Sequence, residues 1–153
     1  TSAIKTFTRK VNWKNLDFII IDMPPGTGDT QLTFSQEIKL DGAIIISTPQ
    51  EVALLDVKRG IKMFDKLKVK ILGLVDNMSF FMAEDGKKYN IFGEGGVKKT
   101  AKEFSKNFLG EIPIDPLVGK SGDNGKPIVE AYPEHKISKI YDEMANKIFS
   151  NFN

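Results

Sequence analysis

The stretch Asp17-Phe18-Ile19-Ile20-Ile21-Asp22-Met23-Pro24-Pro25-Gly26-Thr27-Gly28-Asp29 limits the possible folds of this chain more than any other. Its apolar run, Phe18 to Ile21, does not alternate with polar residues. A strand at Asp17–Asp22 is therefore predicted to be covered on both faces, as in a parallel sheet flanked by helices. Asp22 closes that strand at its carboxyl end, the edge at which such sheets hold ligands. The chain then passes into a turn stiffened by Pro24 and Pro25 and opened by Gly26 and Gly28.

The rest of the chain repeats this alternation. Further strands are predicted at Ala43–Ser47, Val69–Asp76 and Phe108–Ile114. Helical periodicity runs over Asp29–Lys39, Glu51–Leu67, Gly96–Lys106 and Glu134–Asn151, and Ser2–Lys10 reads as the end of a helix. In the Glu51–Leu67 helix, Val52, Leu55, Val57, Ile61, Phe64 and Leu67 are expected on roughly one face. Strands separated by such helices require right-handed crossovers, so the predicted fold is α/β with a doubly wound, mostly parallel sheet. No internal repeat or linker divides residues 1–153, which read as a single domain.

Composition narrows the chemistry. Acidic and basic residues are interspersed and the net charge is +2, so no nucleic-acid-binding stripe is expected. Cysteine is absent, which excludes disulfides, thiolate catalysis and a cysteine-ligated metal or cluster held by this chain alone. No apolar run approaches the roughly 18 residues of a membrane span. The chain opens on Thr1, not methionine, and so reads as a processed product or fragment.

At Asp22 the pattern suits nucleotide chemistry. A carboxylate ending a hydrophobic strand can hold a water on Mg²⁺, and a glycine turn lets backbone N–H groups approach an anion. An ordinary Pro-Gly turn after a strand fits the bare pattern as well.

The full segment Asp22 to Asp29 resembles the signature of the Mrp/ApbC family, MinD-like P-loop ATPases that carry or help assemble iron–sulfur clusters. Further matching segments follow in order: Ser47 to Val57, Gly73 to Ser79, Ile91-Phe92-Gly93 and Leu109 to Pro116. The resemblance implies ATP and Mg²⁺ as ligands and ATP hydrolysis in the intact protein. It further implies a cytoplasmic homodimer and delivery of iron–sulfur clusters to apoproteins. Asp22 would be the Mg²⁺-side aspartate and Gly26 would supply the amide that senses the γ-phosphate. Asn77 would read the adenine edge, and Pro113 and Asp115, in the turn after the last strand, would wall the base. From composition alone, Asn77 reads more readily as a turn-forming asparagine after a strand, and only the resemblance reverses that.

Two departures qualify these expectations. No Gly-x-x-x-x-Gly-Lys-Ser/Thr loop occurs. Gly119-Lys120-Ser121 has the right ending, but Ile114 stands where the first glycine belongs. In Gly93 to Thr100, Lys98 replaces the second glycine, leaving a glycine turn capped onto a helix. The chain thus resembles the C-terminal portion of a longer ATPase domain and is expected to be inactive alone. The second departure is at Phe80 to Gly86, where many members carry Cys-x-x-Cys. Ala83 and Gly86 stand there instead, and Glu84 and Asp85 suit a solvated hairpin tip better than iron ligation. A cluster remains possible only with ligands from elsewhere. The alternative is a nucleotide-regulated MinD/ParA-like scaffold or adaptor that binds no cluster.

Other residues read plainly. His135, the sole histidine, is expected to face solvent at a helix start. The apolar stripe Ile137, Ile140, Tyr141, Met144, Ile148, Phe149 and Phe152 is expected to pack on the sheet and not on a membrane, since acidic residues offset its lysines. Loss of a neighbouring strand would expose an apolar edge and favour dimerisation or poor solubility.

Overall fold

The computed structural model describes Thr6, residues 10–23, Ser35 and residues 37–152. Its strands are β1 (Ala43–Ser47), β2 (Ile71–Met82), β3 (Lys88–Tyr89) and β4 (Phe108–Ile114). Its helices are α1 (Glu51–Lys66), α2 (Gly96–Glu103), α3 (Pro116–Asp123), α4 (Ile128–Ala131) and α5 (Lys136–Phe149). β2 is central, parallel to β1 on one side and to β4 on the other, and β3 folds back antiparallel onto its far end. The sheet is therefore mixed, with its three longer strands parallel.

Helices cover both faces, which is what unbroken apolar strands require. On one face Val57 and Ile61 of α1, Val97 and Ala101 of α2, and Ile71 and Leu74 of β2 form a core, with Leu54 and Phe64 packed against it. The spacing of residues 54, 57, 61 and 64 is the stripe of a 3.6-residue repeat. Val52 and Leu55, expected on that stripe, are exposed instead. On the other face Val75, Leu109 and Ile112 pack against Ile128, Ile137 and Met144. The stripe of α5 thus lies on the sheet, as expected.

The structure departs from the expected strand at Asp17–Asp22. Residues 18–23 form no ladder, and Ile19 and Ile20 are 54% and 94% exposed. The segment is tied to α5 through Phe18, whose ring lies 5.0 Å from that of Phe149 and 5.7 Å from that of Phe152. A run apolar on both faces encodes a strand that needs neighbours, and the described residues offer it none. Of the helix expected at Asp29–Lys39, Ser35, Glu37, Ile38 and Lys39 are described; the first two are helical and the last two are not. The Ser2–Lys10 helix lies largely outside the described residues, although Thr6 is helical.

Candidate nucleotide-binding edge

A polar row crosses the sheet from the carboxyl end of β1 through the middle of β2 and β4. Ser47, Asp76 and Glu111 are paired across the three parallel strands and so lie in one lateral row. Asp76 is two residues beyond Leu74 and shares its side of the sheet, facing α1 and α2. It is completely buried, and neither carboxylate oxygen has a hydrogen-bond partner. Burial first, then the charge of Glu111, pushes its pKa from an ordinary 3.8 up to about 6, against the opposing pull of Lys88. The Ser47 hydroxyl, buried beside it, donates to the Thr48 carbonyl at 2.9 Å.

Immediately beyond this row β2 and β4 fall out of step. Asn77 pairs with Ile112 and Phe81 with Ile114, so Met78, Ser79 and Phe80 stand opposite Pro113 alone. Proline has no N–H for the ladder, and a bulge is where a strand tolerates it. Met78 takes a left-handed backbone, φ +54°, which bends β2 at this point. The Ser79 hydroxyl, buried, donates to the Ile112 carbonyl at 3.1 Å.

Beyond β4 the chain turns through Asp115. One Asp115 oxygen accepts the Leu117 N–H at 2.9 Å and caps α3, with Pro116 at the first helical position. The other lies 3.7 Å from Nε2 of His135, whose Nδ1 accepts the Ile137 N–H at 3.3 Å and caps α5. His135 is thus a capping residue only 23% exposed at its side chain, contrary to the solvent-facing expectation. The signal was present in a histidine directly before an apolar helical stripe.

Of the expected site residues, Asn77, Pro113 and Asp115 come together on the β2–β4 edge. Pro113 lies buried inside β4, not in the turn after it. Asp22 is exposed and outside the sheet, and Gly26 lies outside the described residues. Asp76 was missed, although a carboxylate at the end of an apolar run was the same signal read at Asp22.

Metal and cluster chemistry fit unequally. Among the described residues no group of three His, Cys, Asp or Glu side chains converges as a metal site. Asp22, a lone exposed carboxylate, suits a water-mediated contact to Mg²⁺ and not a direct ligand set. With no cysteine in the chain, a thiolate-held cluster does not fit. The glycine turn before α2 is packed tightly: Gly95 caps the helix at φ +64°, and a Cβ on Gly96 would lie 2.7 Å from the Pro49 carbonyl oxygen. Glu84 and Asp85 sit at the tip of the β2–β3 hairpin, where Asp85 accepts the Lys87 N–H.

A mixed, mostly parallel α/β sheet with helices on both faces and a polar row that begins at the carboxyl end of β1 is the architecture of a doubly wound protein of the nucleotide-binding kind. Residues 1–149 match the family described as ParA, NUBPL iron-transfer P-loop NTPase, and the chain belongs to that family. It is 45% identical over 148 residues, 96% of this chain and 47% of the relative, to an iron–sulfur protein required for NADH dehydrogenase in mitochondria of Arabidopsis thaliana. It is 42% identical over 144 residues, 94% of this chain and 40% of the relative, to an iron–sulfur cluster carrier protein of Aquifex aeolicus. The chain therefore spans less than half the length of these curated relatives. A nucleotide-binding protein of Archaeoglobus fulgidus, solved in complex with ADP and with Co, superposes with a TM-score of 0.76 at 41% identity, over 86% of this chain and 54% of that one. The cell-division ATPase MinD of Pyrococcus furiosus, at 23% identity and TM-score 0.69 over 97% of this chain and 56% of that one, shares the fold. No helix among the described residues is long and apolar enough to cross a membrane.

Proposed function

We propose that residues 1–153 act as one domain of an ATP-dependent iron–sulfur cluster carrier, contributing the base-reading edge and the switch turn of its nucleotide site. The observation that carries this is the family match over residues 1–149, which includes the bulged edge bearing Asn77 and Pro113. In this reading Asn77 presents a side-chain amide that both donates and accepts, as recognition of a purine edge requires. Pro113 and the backbone at Asp115 wall the base, because the Asp115 carboxylate is committed to capping. Asp22 holds a water on Mg²⁺, and the Gly26 amide senses the γ-phosphate. The carrier works as a cytoplasmic homodimer that passes clusters to apoproteins.

The absence of cysteine favours a second reading, a nucleotide-regulated MinD/ParA-like adaptor that binds no cluster. An ATPase assay and anaerobic reconstitution separate the possibilities. ATP turnover is expected from the intact gene product and none from residues 1–153 alone, since they hold no phosphate loop. Turnover by the 153 residues would overturn that assignment. Bound iron and sulfide in the intact product support the carrier, and their absence after reconstitution leaves the adaptor.

A further inference from the structure

The bulge at Met78 to Phe80 is a device that the base-reading edge itself does not explain. A ladder interrupted by Pro113 could drift, because the proline offers β2 no N–H at that position. Two features hold it in one place. Met78 stores a backbone conformation that a non-glycine residue adopts reluctantly, and the buried Ser79 hydroxyl ties the bulged strand back to the Ile112 carbonyl at 3.1 Å. Ile112 is at once the cross-strand partner of Asn77 and the residue before Pro113. The ladder sets Asn77 beside Ile112, and the tie braces the bulge that follows, where the ladder breaks opposite Pro113.

We propose that Ser79 is a positioning residue for base selection: its hydroxyl clamps the three-for-one bulge between β2 and β4, and so holds the Asn77 amide at the geometry that prefers adenine over guanine. This rests on the reading of Asn77 as the base-contacting residue. With the hydroxyl removed, Met78 relaxes from its left-handed backbone, Asn77 turns with it, and discrimination falls before overall folding does.

The test titrates adenosine and guanosine, which need no phosphate contact, into the intact gene product and its variants, following the Asn77 side-chain amide by NMR. Wild-type chain is expected to prefer adenosine. Ser79→Ala is expected to cut that preference by about fivefold, the worth of one neutral hydrogen bond. Adding Met78→Gly to Ser79→Ala should restore most of it, because glycine holds φ near +54° without a clamp. Should Ser79→Ala fold poorly, Ser79→Thr and Ser79→Val make the same comparison, since they are of equal shape and differ in the hydroxyl. Thr should keep the preference and Val lose it. An unchanged preference in Ala, or in both Thr and Val, with adenosine still shifting the Asn77 signal, overturns the clamp and leaves the base reading standing. Adenosine that leaves the wild-type Asn77 signal unmoved overturns the base reading, and the clamp's role in selection with it.

Discussion

Asp76 carries a cost that its neighbours do not relieve. Both its oxygens are buried without donors, the Ser47 hydroxyl beside it is spent on Thr48, and Glu111 across the ladder adds like charge. The folded state therefore keeps the proton until about pH 6, whereas the unfolded chain releases it near 3.8. Between these values the unfolded state binds fewer protons, so stability falls as pH rises, the reverse of a salt-bridged carboxylate. The loss is complete above pH 6 and amounts to roughly 1–3 kcal/mol. Urea unfolding at pH 4.5 and pH 7.5 checks this. Asp76→Asn is expected to flatten the difference and to raise the pH 7.5 midpoint, and an unaltered pH slope would show that Asp76 is not its source. A buried, unpaired carboxylate one residue before Asn77 adds Asp76 to the candidate site residues.

At the scale of elements, α2 is set by contact between backbones. A Cβ on Gly96 would lie 2.7 Å from the Pro49 carbonyl and 2.7 Å from Leu54 Cδ1, and the carbonyl cannot swing away as a side chain can. Gly96→Ala is expected to cost about 1–3 kcal/mol by pushing α2 off the loop that follows β1. Gly119→Ala is the contrast: within α3 its Cβ meets nothing within 4 Å, so the change should stabilise by about 0.5–1 kcal/mol. Chemical denaturation of both variants measures the pair, and equal effects would refute the packing argument. These elements also show what was legible in the sequence. The apolar runs of β1, β4 and the first half of β2 were readable because side-chain period and length agree. β2 continues to Met82 through Asn77 and Ser79, which by type belong in turns, and pairing with β4 and β3 together with the Ser79 bond to Ile112 keeps them in the strand. Helix α3 went unread because Gly119, Ser121 and Gly122 are weak helix formers, although Asp115-Pro116 announced its start. Of the site, residue types and order were legible, whereas the bulge that positions Asn77 depends on pairing across 35 residues, from 77 to 112, which no local window contains.

For the molecule as a whole, the decisive feature is the side of the sheet that carries β1. Among the described residues β1 pairs only with β2, and on the face away from α1 its Ile44 and Ile46 are 40% and 62% exposed. Earlier in the chain, residues 18–23 include the apolar run Phe18 to Ile21 and form no ladder. Unpaired N–H and C=O groups beside exposed isoleucines make a template for another strand. The chain is therefore expected to self-associate through this edge, with a weight-average mass that rises with concentration in sedimentation velocity. Ile46→Lys puts a charge on the exposed face of the edge strand and should shift the chain towards monomer, without lowering its unfolding free energy by more than about 0.5 kcal/mol, because the side chain is already largely in solvent. Val129→Lys, the same kind of charge-introducing change at an exposed apolar position on α4, should leave association untouched. Were both variants to associate like the wild type, the contact would lie elsewhere. Were the wild type itself a monomer throughout, the open edge would have to be closed by the chain's own residues, and the segment carrying Phe18 to Asp22 is the one long enough and apolar enough to close it.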